Sequence, residues 1–229
     1  MKVLALDTAS ATGSVALLDG ERLIAETLLN LRATHSERLL GQIRQVLAAA
    51  GLALTDLDLI AAVSGPGSFT GLRVGLATAK GLAHAAGLPL IGVSTLRLLA
   101  MNLPLCPLPV CAFLDARKRE VYTALFTWRD GLPQPVGSEL VLPPAAALHR
   151  LEGEVALVGD GVLLYRDLID EILSSRAHLP ALCHHQPRAA AAAVLASRDF
   201  SLGAEATATG LKPVYIRPSD AEISSAGKR

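Results

Sequence analysis

The chain has 229 residues, with 21 basic and 21 acidic side chains and no net charge at pH 7. That length suits one large or two small domains with a self-sufficient core, and the neutrality excludes an overall pull toward nucleic acid or anionic lipid. Half of the residues are apolar but only 3% are aromatic, so alanine and leucine must do the packing.

The first residues, MKVLALD, reach Asp7 too early for a secretory apolar region. Val3 to Leu6 reads as a buried strand, continued by Ser14 to Leu18 after a Thr12-Gly13 turn. Asp19-Gly20 is a hairpin dipeptide, and Leu23 to Leu28 fits a third strand. Thr34 and Glu37 have capping-box spacing. The helix they open places Leu39, Leu40, Ile43, Val46 and Leu47 on one stripe and ends at Gly51. Leu57 to Val63 is the next strand, followed by a glycine-rich turn and a helix from Thr70 to Ala86. That helix repeats Gly71, Gly75, Ala79 and Ala83, a spacing that lets a neighbouring backbone come close. Leu90 to Val93 is a strand and Ser94 to Met101 a short helix.

Leu98 to Leu114 is uncharged, but Pro104, Pro107 and Pro109 would break a membrane span. It reads as a linker leading into a buried strand, and no membrane association is expected. A second round of elements follows. Val110 to Leu114 and Val121 to Thr127 are strands, Asp130-Gly131 a turn and Leu140-Val141 the end of a strand. Then come a short helix after Pro143-Pro144, the strand Val155 to Val158, a helix from Leu163 to Leu173 and an alanine-rich helix after Pro187. This predicts an α/β protein of two similar halves, 1–104 and 105–229, with residues 219–229 as a frayed tail.

The stretch Gly65-Pro-Gly-Ser-Phe-Thr-Gly-Leu-Arg-Val-Gly75 holds four glycines between a strand and a helix. Such a turn gathers backbone N–H groups at a helix N-terminus, a geometry that suits an anion. It lacks the lysine of a Walker A loop, and Thr70 stands where the dinucleotide fingerprint needs its last glycine. On residues alone the turn is either an anion pocket, with Asp7, Gly65, Gly67, Ser68 and Thr70 around it, or a close helix-to-sheet contact. Asp7, Asp115 and Asp160 each follow an apolar strand, where a carboxylate either does chemistry or caps a turn. The turn-capping role is the simpler one. Cys106, Cys111 and Cys183 are odd in number and form no C-x-x-C pair, which argues against a disulfide framework and fits a reducing compartment. Cys111 reads as a buried hydrophobe. Cys183-His184-His185 has metal-ligand types, but adjacent residues point apart and no further ligand is sensibly spaced.

The segments "LALDTAS…GSVALL", "HSERLL", "SGPGSFTGLRVGLATAKGLA", "DARKREVY", "GDG" and "PVYIR", in this order along nearly the whole chain, resemble the TsaB (YeaZ) family of bacterial tRNA modification proteins. The resemblance implies the two-lobed fold of actin, sugar kinases and the large heat-shock ATPases. It also implies a noncatalytic cytoplasmic relative of TsaD. TsaD transfers a threonylcarbamoyl group from threonylcarbamoyl-AMP to adenosine 37 of tRNAs reading codons that begin with A. The implied partners are TsaD, the P-loop ATPase TsaE and a second copy of the chain, with tRNA contacted indirectly or secondarily. No cofactor is implied. Where TsaD holds a metal through a His-x-x-x-His pair, Thr95 and Leu99 stand here, so no metal site is expected. Where actin-like kinases have glycine after the first aspartate, Ala9 follows Asp7-Thr8, and its Cβ narrows the approach of a phosphate.

A scaffold of this kind would dock through its first two long helices, 34–50 and 70–86. The residues expected at that contact are His35, Arg38, Leu39, Gln42, Gly71, Arg73, Val74, Gly75, Thr78 and Ala79. Arg73, Lys80 and His84 lie on one stripe with Ala77 between them, and His35, Arg38, Gln42 and Gln45 form a polar face on the preceding helix. The rival reading is an actin-like ATPase or small-molecule kinase using Asp7 and the glycine turn. A protease is disfavoured, because no Ser-His-Asp or zinc signature can be placed on these segments.

Overall fold

Strand β1 (Lys2–Asp7) sends alternate residues to opposite faces, as the twofold period of a strand requires. Val3 and Ala5 join one apolar cluster, Leu4 and Leu6 another. The computed structural model describes residues 1–31 and 34–217. In it β1 is the centre of a five-stranded sheet with β2 (Thr12–Asp19), β3 (Arg22–Asn30), β4 (Leu59–Gly65) and β5 (Leu90–Ser94), ordered β3-β2-β1-β4-β5. The β1–β2 and β2–β3 pairs are antiparallel, and β1–β4 and β4–β5 are parallel.

The second half repeats this plan with β6 (Val110–Asp115), β7 (Val121–Arg129), β8 (Leu132–Leu142), β9 (Val155–Val158) and β10 (Ala177–His178), ordered β10-β9-β6-β7-β8. β8 is longer than its sequence suggests, because Pro133, Pro135 and Gly137 mask an edge strand that pairs only with β7. The two-residue β10 has no sequence signal at all.

Helices α1 (His35–Ala50) and α2 (Phe69–Ala86) cover one face of the first sheet, meeting Leu4, Leu6, Val15 and Leu17. Each ends at a glycine in the left-handed region, Gly51 at φ 64° and Gly87 at φ 66°. The expected capping box at Thr34 does not form: Thr34 occupies the N-cap without a side-chain cap bond, and its hydroxyl instead accepts from Ser36. Leu40 also departs from the expected stripe. It is half exposed, and Gln42 takes the inward position by donating to the Thr27 hydroxyl at 3.0 Å. The strand expected from Leu57 begins instead at Leu59, after a 3-10 turn over Leu54–Asp56.

The strands divide between the sheets at the linker, but the helices do not. α3 (Thr95–Ala100) packs on β6 and β7 of the second sheet through Leu96, Leu99 and Ala100. α7 (Ala189–Ser201) returns to the first sheet, where Ala189, Ala192, Ala193 and Ala196 lie on Ala5, Ala16 and Ala61. Alanine against alanine brings helix and sheet close, which is how a core with few aromatics fills its space. Each half therefore lends its last helix to the sheet of the other. Arg97 of α3 pairs with Asp199 of α7 at 2.7 Å between the lobes.

On the outer face of the second sheet lie α4 (Pro144–His149), α5 (Asp160–Leu164) and α6 (Arg166–Leu173). The helix expected from Leu163 to Leu173 is broken at Tyr165, whose ring sits edge-on to Phe113. No described helix is long and apolar enough to cross a membrane. The expected tail, 219–229, lies outside the described residues.

Candidate functional site: the glycine turn and its neighbours

The β1–β2 turn and the glycine turn fill one another. Thr8 donates its hydroxyl to the Gly71 carbonyl at 2.7 Å, and the Ala9 carbonyl accepts the Ser68 N–H at 2.7 Å. A Cβ on Gly67 would overlap the Ala9 carbonyl, one on Gly71 the Thr8 carbonyl, and one on Gly75 the Thr8 hydroxyl. Ser68 caps α2 by accepting from the Gly71 N–H at 3.2 Å. Gly65, at φ 125°, leaves room for the Val214 carbonyl, and the Val214 N–H donates to the Ser64 carbonyl at 2.7 Å. The glycine turn thus makes a close helix-to-sheet contact. The small-residue row of α2 receives the chain's own Thr8.

Asp7 is fully buried beside this contact. Its Oδ1 accepts the Ala9 N–H at 2.9 Å, while Oδ2 has no hydrogen-bond partner among the described residues. Burial pushes its pKa up to about 7, against the lowering effect of the Ala9 bond. Asp115 and Asp160 also cap turns. Asp160 accepts the Asp115 N–H, and Asp115 accepts the Arg117 N–H, both at 2.9 Å. Burial raises the pKa of Asp160 as well.

The expected docking residues separate into two groups. Leu39, Gln42, Gly71, Gly75 and Ala79 are buried within the fold, where they face the sheet or Thr8. His35 is half-buried, with Nε2 donating to the Ser10 carbonyl at 2.8 Å. Arg38, Val74 and Thr78 are half-buried, and Thr70 and Arg73 are exposed. Arg73 lies over the Phe69 ring, 3.8 Å from its centroid, and donates to the Tyr215 hydroxyl at 3.1 Å. Tyr215 stacks on Phe69 with centroids 5.1 Å apart. Phe69 and Tyr215 escaped the sequence reading of the site, since neither sits in a periodic pattern and 142 residues separate Arg73 from Tyr215.

Thr95 and Leu99, at the positions compared with metal ligands, are fully buried. Cys183, His184 and His185 do not converge. Cys183 is exposed, and His184 lines a cavity of about 520 Å³ with Asn102, Cys106 and His178. His185 is buried beside the Gly159 and Pro180 carbonyls, and desolvation lowers its pKa. Among the described residues no group of three or more His, Cys, Asp or Glu side chains is placed to hold a metal. Cys111 is buried as expected, its thiol pushed up to about 11 by desolvation.

Residues 28–225 match the family model described as TsaD: tRNA N6-adenosine threonylcarbamoyltransferase. The chain is 32% identical to the tRNA threonylcarbamoyladenosine biosynthesis protein TsaB of Bacillus subtilis, across 97% of this chain and 96% of that one. It is 35% identical to the protein of the same name in Escherichia coli, across the full length of both. Its structure resembles YeaZ from Pseudomonas aeruginosa, with a TM-score of 0.81 and 34% identity over 93% of this chain and 99% of that one. Component A of (R)-2-hydroxyglutaryl-CoA dehydratase from Acidaminococcus fermentans shares the fold alone, at a TM-score of 0.51 and 12% identity over 88% and 99% of the two chains.

Proposed function

The chain belongs to the TsaB family of tRNA threonylcarbamoyladenosine biosynthesis proteins, and from that membership we propose that it is a noncatalytic subunit docking onto a TsaD-type transferase in the cytoplasm. Its work in the pathway is to bind that partner and bias it toward a competent conformation. One observation carries this reading. The glycines that would admit a phosphate are occupied by the chain's own Thr8 and Ala9. An actin-like kinase needs that space for nucleotide.

The docking surface is the exposed side of α1 and α2. Leu40 is half exposed there, and a Cβ added at Gly41 or Gly81 meets nothing within 4 Å. Small residues on an open helix surface allow a partner helix to approach closely. Arg73, Val74 and Thr78 on α2 and Arg38 on α1 supply the flanking contacts, and TsaE and a second copy of this chain are the further partners proposed. Arg73 is preordered by Phe69 and Tyr215, which lowers the entropy lost on binding.

Calorimetry with a purified TsaD-type subunit tests the reading. Gly41→Trp and Gly81→Trp leave the interior untouched, so both variants are expected to melt normally. Each is expected to bind the partner at least about tenfold more weakly, the loss that results when bulk blocks a packed interface centre. Unchanged affinity in both would place the contact elsewhere. Sustained ATP hydrolysis by the isolated chain would overturn the noncatalytic assignment.

A further inference from the structure

The two long helices carry cations without matching carboxylates. α2 holds Arg73 and Lys80 and has no acidic residue, while α1 holds Arg38 and Arg44 against Glu37 alone. Arg44 and Arg73 are exposed, and Arg38 and Lys80 are half-buried. Among the described residues none of these four forms an ion pair. Cations on other elements are matched: Arg97, Arg188 and Arg217 each hold a carboxylate distant in sequence.

Arg73 is the most firmly placed of the four. Its Nε donates to the Tyr215 hydroxyl and its guanidinium lies over the Phe69 ring. Both partners are neutral, so they orient the group and leave its charge intact. The two terminal nitrogens make no hydrogen bond among the described residues. Tyr215 is itself seated by the glycines beneath its segment. A Cβ on Gly65 would overlap the Val214 carbonyl, and one on Gly92 the Leu211 side chain. Phe69 remains 37% exposed beside the guanidinium. An arginine set among aromatic rings is the composition of an interface hot spot.

We propose that this basic face takes an acidic face of the TsaD-type partner, with one partner carboxylate closing on the terminal nitrogens of Arg73. The proposal deepens the docking reading given above and rests on it. The planar fork of a guanidinium matches a carboxylate, and a fork already fixed by packing loses little freedom on pairing. Charge also selects between occupants of the surface. A second copy docked by a twofold axis would present the same residues, setting basic helix against basic helix. Like charges across an interface oppose association. Screening by salt should therefore act in opposite directions, weakening the contact with an acidic partner and strengthening a contact between two copies.

The test measures two affinities of the full-length chain, for a purified TsaD-type subunit by calorimetry and for itself by sedimentation, from about 50 to about 500 mM salt. Arg73→Glu and Arg73→Lys are compared with the parent. Arg73 is exposed, so both variants are expected to keep a cooperative melt. Parental affinity for the partner is expected to fall as salt rises, and self-association to hold or increase. Arg73→Glu is expected to bind the partner at least about tenfold more weakly, with a shallower salt dependence. Arg73→Lys keeps the charge without the fork and is expected to fall between the two. Reversing the partner's acidic residues one at a time to arginine should restore binding to Arg73→Glu at one position. A parental affinity indifferent to salt, an unweakened Arg73→Glu, or no restoring position would each overturn the proposal. Weakened self-association in Arg73→Glu with partner affinity intact would overturn it too, by assigning the cluster to a second copy. Loss of partner binding in Gly81→Trp but not in Arg73→Glu removes this inference alone. Failure of the parent to bind the partner removes the docking reading beneath it.

Discussion

At the scale of single residues, the glycines of α2 and α1 make opposite predictions. A Cβ at Gly71 would overlap the Thr8 carbonyl, whereas at Gly41 and Gly81 it meets nothing within 4 Å. Alanine in a helix interior ordinarily gains about 1 kcal/mol over glycine. Gly41→Ala and Gly81→Ala are expected to realise most of that gain. Gly71→Ala is expected to lose about 1–3 kcal/mol through overpacking. Urea midpoints measured side by side read both signs. Asp7 adds a pH dependence. Burial pushes its pKa in the fold up to about 7 from the 3.8 of a solvated aspartate, so between those values the folded state holds a proton that the unfolded state has released. Stability therefore falls as pH rises from about 4 to about 7 and levels off above, by up to roughly 1.4 kcal/mol per pH unit of that window. Asp7→Asn keeps an acceptor for Ala9 and has no proton to lose. Its stability relative to the parent should improve by a few kcal/mol between pH 4 and pH 8. Parallel pH profiles would show that Asp7 ionises as an ordinary carboxylate.

At the scale of elements, the two long helices begin differently although both open on a hydroxyl residue. Ser68 accepts from the Gly71 N–H, and Thr34 makes no side-chain cap bond. Ser68→Ala is expected to cost about 1 kcal/mol and Thr34→Ala less than about 0.5 kcal/mol. Thermal melts distinguish them. The segment from Leu211 to Arg217 acts as a strap: Val214 bonds Ser64, Tyr215 covers Phe69 and Arg217 reaches Glu120 in the other lobe. Removing the Tyr215 ring forfeits a stacked pair worth about 0.5–1.5 kcal/mol. Tyr215→Ala should also speed amide exchange in the first turn of α2, where the ring and Arg73 lie. The elements themselves were largely legible in the sequence. A short apolar run marked β1, an apolar stripe ending at Gly51 marked α1, and the small-residue repeat after the glycine turn marked α2. The exceptions were β8, β10 and the break at Tyr165, where prolines, brevity or a distant ring contact override local pattern.

At the scale of the whole molecule, the exchange of α3 and α7 makes the lobes interdependent. A fragment of residues 1–104 lacks the alanine helix that covers Ala5, Ala16 and Ala61, and would leave that apolar face in water. Such a fragment is expected to show no cooperative melt by circular dichroism, and the full chain a single transition. A cooperative fragment would show that the first sheet is stable without its borrowed helix. What the sequence alone determined is the repeat of the α/β plan, the family and a glycine turn without the Walker A lysine, because these reside in local periodicity and contiguous motifs. Only the tertiary structure decided what the glycine row touches, which helix covers which sheet and where Arg217 meets Glu120. Those contacts join residues far apart in the chain, and burial, not local pattern, selects between an inward and an outward face.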